Sequence, residues 1–377
     1  MKRLQSGLSV LLALLIALPF FPGTTAAAQD TDQNVPDYSG RSDSFARYAA
    51  AIADRPAADT TISLNAADAV LSPTLSEKLE GDSAVRVETG GYVEWTFSAD
   101  KSGVYEIGLS YLASAGKGQK PQITLTFDGS VPYTEASHYE LSRVYRDAGP
   151  IEKNAKGDDL IPEQVEVERW QDRPLLDTAG LSGRNLCLYL EEGAHTLRLA
   201  CESESLYVRS LSLFPGTTVS SDAEKAASYQ QNGYQSVEGF LKIYQAEKTL
   251  EKSDVVLYPT YDRTSPATIP YDPVRIRRNT IGKGNWSEPG MWISYLIDDI
   301  PSDGLYYRTF KFRQADAIGV TTFRNVYVNG SIPSKAYENV SFPYGVDWNQ
   351  KTVVDENGEP CPVYLTAGEN ELLMEVS

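Results

Sequence analysis

The chain has 377 residues, 41% hydrophobic and 23% charged, with 34 Lys and Arg against 51 Asp and Glu, for a formal charge of −17. That acidity argues against nucleic acid or an anionic membrane as a partner. Three cysteines cannot make a complete disulfide framework.

Lys2 and Arg3 followed by an apolar run from Leu8 to Phe21, then Ala26-Ala27-Ala28, predict a signal peptide over residues 1–28. Its removal takes the charge from −17 to −19 and leaves no segment apolar enough to span a bilayer, so the mature chain is expected outside the cell. Residues 29–43 are polar and predict a disordered leader. Ser44 to Ala53 reads as a short helix stopped by Pro56.

From there the period is two. Val93, Trp95 and Phe97 alternate with polar or small residues, as do Tyr105, Ile107, Leu109 and Tyr111, and then Ile123, Leu125 and Phe127 before the turn Asp128-Gly129. Leu186, Leu188 and Leu190 predict a strand pairing across Glu191–Ala194 with Leu197 and Leu199, which leaves His195 in a solvated turn. The same parity puts Cys201 inward and Cys187 outward, against a bridge between them. Leu206, Val208, Leu211 and Leu213 predict a closing strand with a slip in register. The charged stretch 134–180 is long for a loop inside a compact sandwich, which points to function or to order imposed by packing.

Residues 216–240 read as a linker, with Ser221 and Glu224 at capping-box spacing before a helix from Asp222 toward Gln231. The chain then repeats itself. Tyr92, Val93, Trp95 and Phe97 match Trp292, Ile293, Tyr295 and Ile297. Gly103 and Tyr105 match Gly304 and Tyr306; Gly129 and Pro132 match Gly330 and Pro333; Tyr189-Leu190 and Gly193 match Tyr364-Leu365 and Gly368. Such a long unit predicts two tandem β-sandwich modules, 44–215 and 241–377, the fold being all-β of jelly-roll type. The second module, opening on a strand Leu241–Glu247, has no match for Leu206–Leu213 before Ser377, so it is expected to lack its last strand and the sequence to be a fragment.

No Ser-His-Asp set, HExxH, P-loop or dinucleotide fingerprint is present, and the only two histidines, His138 and His195, stand apart. Carboxylates are abundant, but nothing in the sequence pairs two of them across a cleft. Aromatics are the better lead, because flat rings stack on sugars while Arg and Asp bind hydroxyls. Trp170 and Asp177 recur as Trp348 and Asp355, seven apart in both copies, and can equally be core. With Arg143 they form the candidate ligand-binding set.

The segments VEWTFSADKSGVYEIGLSY, FDGSVPY, RVYRD and GDDLIPEQVEVERW, with YPTYDRTSPATIP, NTIGKGNW, DGLYYRTFKFRQ and YLTAGENELLMEV in the second copy, resemble the N-terminal region of large bacterial extracellular solute-binding proteins of carbohydrate ABC transporters. That resemblance implies two galactose-binding-like modules without catalysis, a polysaccharide or cell-envelope glycan as partner, and a permease reached through a solute-binding domain that these residues do not contain. IYQAEKT resembles the opening strand of carbohydrate-binding modules in which a Glu just after the strand ligates structural calcium; Glu247 holds that place, whereas the first copy has Asn65-Ala66-Ala67-Asp68. The alternatives are the accessory region of a secreted glycoside hydrolase, or a structural surface protein.

Overall fold

The computed structural model describes residues 43–377 apart from 80–82, 115, 117, 179–183 and 217. The expected signal peptide and all but the last residue of the expected leader lie outside the described residues. No helix among the described residues is long and apolar enough to cross a membrane.

The described residues are all-β, with two short α-helices among them. Helix α1, Phe45–Ala51, starts where Ser44 accepts the Arg47 amide at 3.4 Å. Helix α2, Asp222–Gln231, carries the full capping box: Ser221 Oγ accepts the Glu224 amide at 3.2 Å, and the Glu224 carboxylate accepts the Ser221 amide at 2.9 Å. Each cap satisfies main-chain donors that the first helical turn leaves over.

Two hydrophobic cores form, one from each half of the chain. In the first, one sheet holds Tyr92–Ala99, Gly193–Ser203 and Gln122–Phe127, with Val70–Leu71 and Tyr139–Glu140 at its edges. The facing sheet is built on Gly103–Ala113, which pairs with Gln171–Pro174 and Cys187–Leu190 on one side and Leu206–Phe214 on the other. The inward side chains are those the alternation picked out: Val93, Trp95, Tyr105, Ile107, Leu125, Leu197 and Leu199 are all buried. The register slip expected near Val208 is a bulge between Val208 and Ser210.

Two expectations about this half fail. Cys187–Leu190 pairs with Gly103–Glu106, whereas Gly193–Ser203 pairs with Tyr92–Ala99 in the other sheet. They are therefore not a hairpin: both present leucines to the same core, but from opposite walls. Cys187 and Cys201 are free thiols on strands of different sheets. His195 is not in a solvated turn either. It lies in the strand Gly193–Ser203, with Nδ1 2.8 Å from Asp128 Oδ2 and Nε2 2.7 Å from the Glu191 carbonyl.

The second half repeats many first-half contacts. The Tyr48 hydroxyl on α1 accepts the Tyr189 amide at 2.8 Å, and the Tyr229 hydroxyl on α2 accepts the Tyr364 amide at 3.4 Å. Asp128 accepts the Thr196 amide at 2.8 Å, and Asn329 accepts the Glu371 amide at 2.9 Å. Helix α2, placed in the linker by the sequence, thus bonds to a strand of the second half as α1 bonds to a strand of the first. One sheet here holds Trp292–Ile300, Gly368–Val376, Thr322–Val328 and Val340–Phe342. The other consists of Gly304–Tyr307 paired with Pro362–Leu365, and Thr309–Phe312 paired with Asn349–Thr352. Leu241–Glu247 is not a strand: its first-half counterpart Ile62–Asn65 is ordered by pairing with Leu206–Phe214, and no such partner stands beside 241–247 among the described residues.

Candidate functional site

The charged stretch after Gln122–Phe127 ties the halves together. Tyr145 and Lys252 exchange both main-chain hydrogen bonds at 2.8 Å, and Lys252 bridges onward to Ile293, so the short ladder Tyr145–Asp147 with Gln164–Glu166 extends the second half's sheet. The Lys252 side chain is fully buried, its ammonium 2.5 Å from both Asp147 Oδ1 and Gln164 Oε1. Burial pulls its pKa down while Asp147 holds the charge in place. Further along, Asp158 accepts the Ile276 amide at 2.9 Å and Asp159 accepts the Arg278 amide at 3.0 Å.

Beside this junction runs a cleft of about 700 Å³. The first half lines it with Arg169–Leu176 and residues 137–142, and the second with residues 288–292 and Glu371 and Glu375. Arg169 pairs with Glu251 and reaches Glu371 at 4.0 Å. Arg173 pairs with Glu375 at 2.6 Å, and its guanidinium lies 4.9 Å from the Trp292 ring centroid. Glu375 also accepts the Tyr327 hydroxyl at 2.9 Å. Arginine clamps therefore hold the walls at a set separation.

Two buried polar atoms on these walls have no partner: Gln171 Oε1, whose amide Nε2 donates to the Ser142 carbonyl at 2.7 Å, and Trp292 Nε1. Leaving such groups unmet is costly, and one acceptor plus one donor suits a ligand or a water carrying hydroxyls. The lining holds more carboxylates than cations, which disfavours phosphorylated or acidic ligands.

Of the candidate ligand-binding set, Trp170 alone lines this cleft, half-buried, with the Arg209 guanidinium 3.9 Å from its ring centroid. Arg143 is not available to a ligand. It is 1% exposed, with hydrogen bonds to the carbonyls of Gln119 and Ser114 and ion pairs to Glu166 and Glu204. Asp177, also 1% exposed, is structural, its amide bonded to the Arg184 carbonyl. Asp355 closes its own turn by accepting the amides of Asn357 and Glu359 at 2.8 Å, and these bonds hold its carboxyl below the usual range. Trp348 lies outside the cleft lining, with Nε1 donating to Asp262 at 3.1 Å. Despite partial burial, Asp262 stays below its ordinary pKa because Thr264, Arg313 and Trp348 all donate to it.

Sequence reasoning missed Arg173, Gln171 and Trp292. Trp292 aligned with Tyr92 as a strand residue, and nothing local to it marks the wall of a cleft.

Glu247 is 3% exposed, its Oε2 has no partner, and desolvation raises its pKa to about 7. The resemblance implies calcium here. Calcium takes about six to eight oxygens, several of them usually carboxylate, yet among the described residues no three His, Cys, Asp or Glu gather to hold a metal ion. A lone carboxylate does not make such a cage.

No protein-family model and no curated protein matches the chain. Solved structures do. A β-(1,4)-mannanase of Podospora anserina carrying a family 35 carbohydrate-binding module is 11% identical, covering 47% of this chain and 35% of its own, with a TM-score of 0.26. A family 35 carbohydrate-binding module from Clostridium thermocellum is 17% identical over 42% of this chain and 99% of its own, TM-score 0.25. A family 36 module in complex with calcium and xylotriose is 12% identical over 40% and 97%, TM-score 0.24. The match therefore spans about a third of the mannanase, and at these TM-scores the likeness fixes neither a family nor a ligand for this chain.

Proposed function

We propose that the chain binds a neutral, hydroxyl-rich glycan in the cleft between its two cores and does not turn it over. The observation that carries this reading is the pairing of a clamped cleft of about 700 Å³ with two orphaned polar atoms, Gln171 Oε1 and Trp292 Nε1, on its walls. Trp170 offers apolar surface at the same place, and the acidic lining favours an uncharged ligand. Together with the expected signal peptide over residues 1–28, this is the behaviour of an exported module that holds a polysaccharide or cell-envelope glycan near a carbohydrate-uptake receptor and its permease.

The test is affinity electrophoresis of the full chain on a panel of neutral polysaccharides. Retardation on at least one is expected, weakened about tenfold by Gln171→Leu or Trp170→Ala, a loss of about 1.4 kcal/mol. Retardation on none of them overturns the proposal, and release of new reducing ends overturns the non-catalytic part.

A further inference from the structure

Residues 260–283 carry five Arg or Lys against two Asp, in a chain whose formal charge is −17. Folding gathers part of that excess at one place. Thr260 and Thr280 pair, the Thr260 amide donating to the Thr280 carbonyl at 2.8 Å and the Thr260 carbonyl accepting the Asn279 amide at 3.1 Å. The Asn279 side chain ties the two segments further. Its Oδ1 accepts the Asp262 amide at 2.8 Å, and its Nδ2 donates to the Asp262 and Pro270 carbonyls at 3.0 and 2.8 Å. Asn279 is buried, so these bonds meet little competition from water and hold Tyr261 and Arg263 beside Arg278 and Lys283.

Three cations meet there. The guanidinium carbons of Arg263 and Arg278 and the ammonium of Lys283 each lie 5.6 Å from the Tyr261 ring centroid, so no two are further apart than twice that distance. Charges this close repel one another, since the screening length at physiological ionic strength is about 8 Å. One ring attracts a cation to its face but does not neutralise three. None of the three has an ion pair among the described residues, and the neighbouring carboxylates are already engaged. Asp262 pairs with Arg313 at 2.6 Å, Asp272 with Arg277 at 3.0 Å, and Asp159 with Lys153 at 2.8 Å and Arg277 at 3.2 Å. Arg278 Nε is buried without any acceptor, so nothing inside the chain offsets that guanidinium.

We propose that Arg263, Arg278 and Lys283, gathered around Tyr261, bind a phosphate ester carried on an otherwise neutral sugar. A phosphate monoester brings a charge of about −1.5 to −2 at pH 7 and three acceptor oxygens. A carboxylate brings a single charge and two oxygens. Two guanidinium forks and an ammonium supply donors for all three phosphate oxygens. The rest of the ligand is neutral, because a chain charged −17 is repelled by a densely anionic polymer or bilayer. The site is separate from the cleft, which none of these four residues lines.

The test is calorimetric titration of the full chain with glucose 1-phosphate, glucuronate and glucose at one pH and ionic strength. Glucose 1-phosphate is expected to bind about tenfold more tightly than glucuronate. Arg263→Gln combined with Lys283→Gln, both at exposed positions, is expected to weaken it about tenfold. Arg275→Gln removes a charge from the same segment away from the ring and is expected to leave it unchanged, as is Trp170→Ala in the cleft. Equal affinity for glucuronate, an equal loss with Arg275→Gln, or no binding of glucose 1-phosphate overturns the proposal. Loss of that binding with Trp170→Ala also overturns it, by assigning the phosphate ester to the cleft. Capture of the chain by phosphatidylglycerol vesicles that glucose 1-phosphate does not reverse would assign the three cations to a lipid surface instead.

Discussion

Each half of the chain buries guanidinium nitrogens of an arginine, Arg143 and Arg308, and the two differ in what surrounds them. Arg143 is met by two carboxylates and two carbonyls, so its desolvation is offset. Arg308 has two buried nitrogens and no partner for either. The same contrast runs through the sheets: Leu206–Phe214 is flanked on both sides, whereas among the described residues strand pairing reaches Gly304–Tyr307 and Thr309–Phe312 from one side. A shared strand pattern therefore does not guarantee equal closure. A sheet is finished only when the strand that satisfies its edge is in place.

The largest effect should come from the arginines themselves. Arg143→Ala strands two carboxylates and should cost about 3–5 kcal/mol in urea unfolding followed by Trp fluorescence. Arg308→Leu should instead stabilise the second half, by about 1 kcal/mol, since it removes a buried donor pair that nothing satisfies. Equal losses at the two sites would erase the contrast.

Next comes Glu247, which has no counterpart in the first half. Its folded pKa of about 7 lies above the ordinary glutamate value of about 4.3, so the folded chain holds a proton through that window that the unfolded chain has lost. Stability should fall as pH rises from about 4.3 to 7 and level off above. Glu247→Gln, which mimics the protonated form, should flatten that slope and raise Tm at pH 8. A calcium-dependent rise in Tm at pH 8 that Glu247→Gln abolishes would show that an ion does occupy this place.

The smallest effect concerns the caps. Ser44→Ala and Ser221→Ala should each cost about 1 kcal/mol. Ser221→Ala should cost more, because it dismantles a reciprocal box whereas Ser44 makes one bond at 3.4 Å. Thermal melts of the two variants sharpen the comparison between α1 and α2.

Much of this was readable beforehand. Alternation assigned Trp95, Tyr105, Ile107, Leu125 and Leu197 to the core, and the spacing of Ser221 and Glu224 located the start of α2. Alternation states which face a side chain takes, not which strand lies alongside, and for that reason Cys187–Leu190 and Gly193–Ser203 read as a hairpin while lying in different sheets. Arg143 read as a ligand-binding residue because its partners Glu166 and Glu204 are remote in the chain. The cleft was invisible for the same reason: its walls come from Arg169–Leu176, residues 288–292 and the last strand.

Local order, strand periodicity, helix caps and the recurrence of one pattern along the chain came from the residues alone, because each depends on neighbours within a few positions. Which strand finishes a sheet, which charges are buried in pairs and where the halves leave a cleft were decided by tertiary structure, because desolvation and main-chain pairing depend on groups that only folding brings into contact.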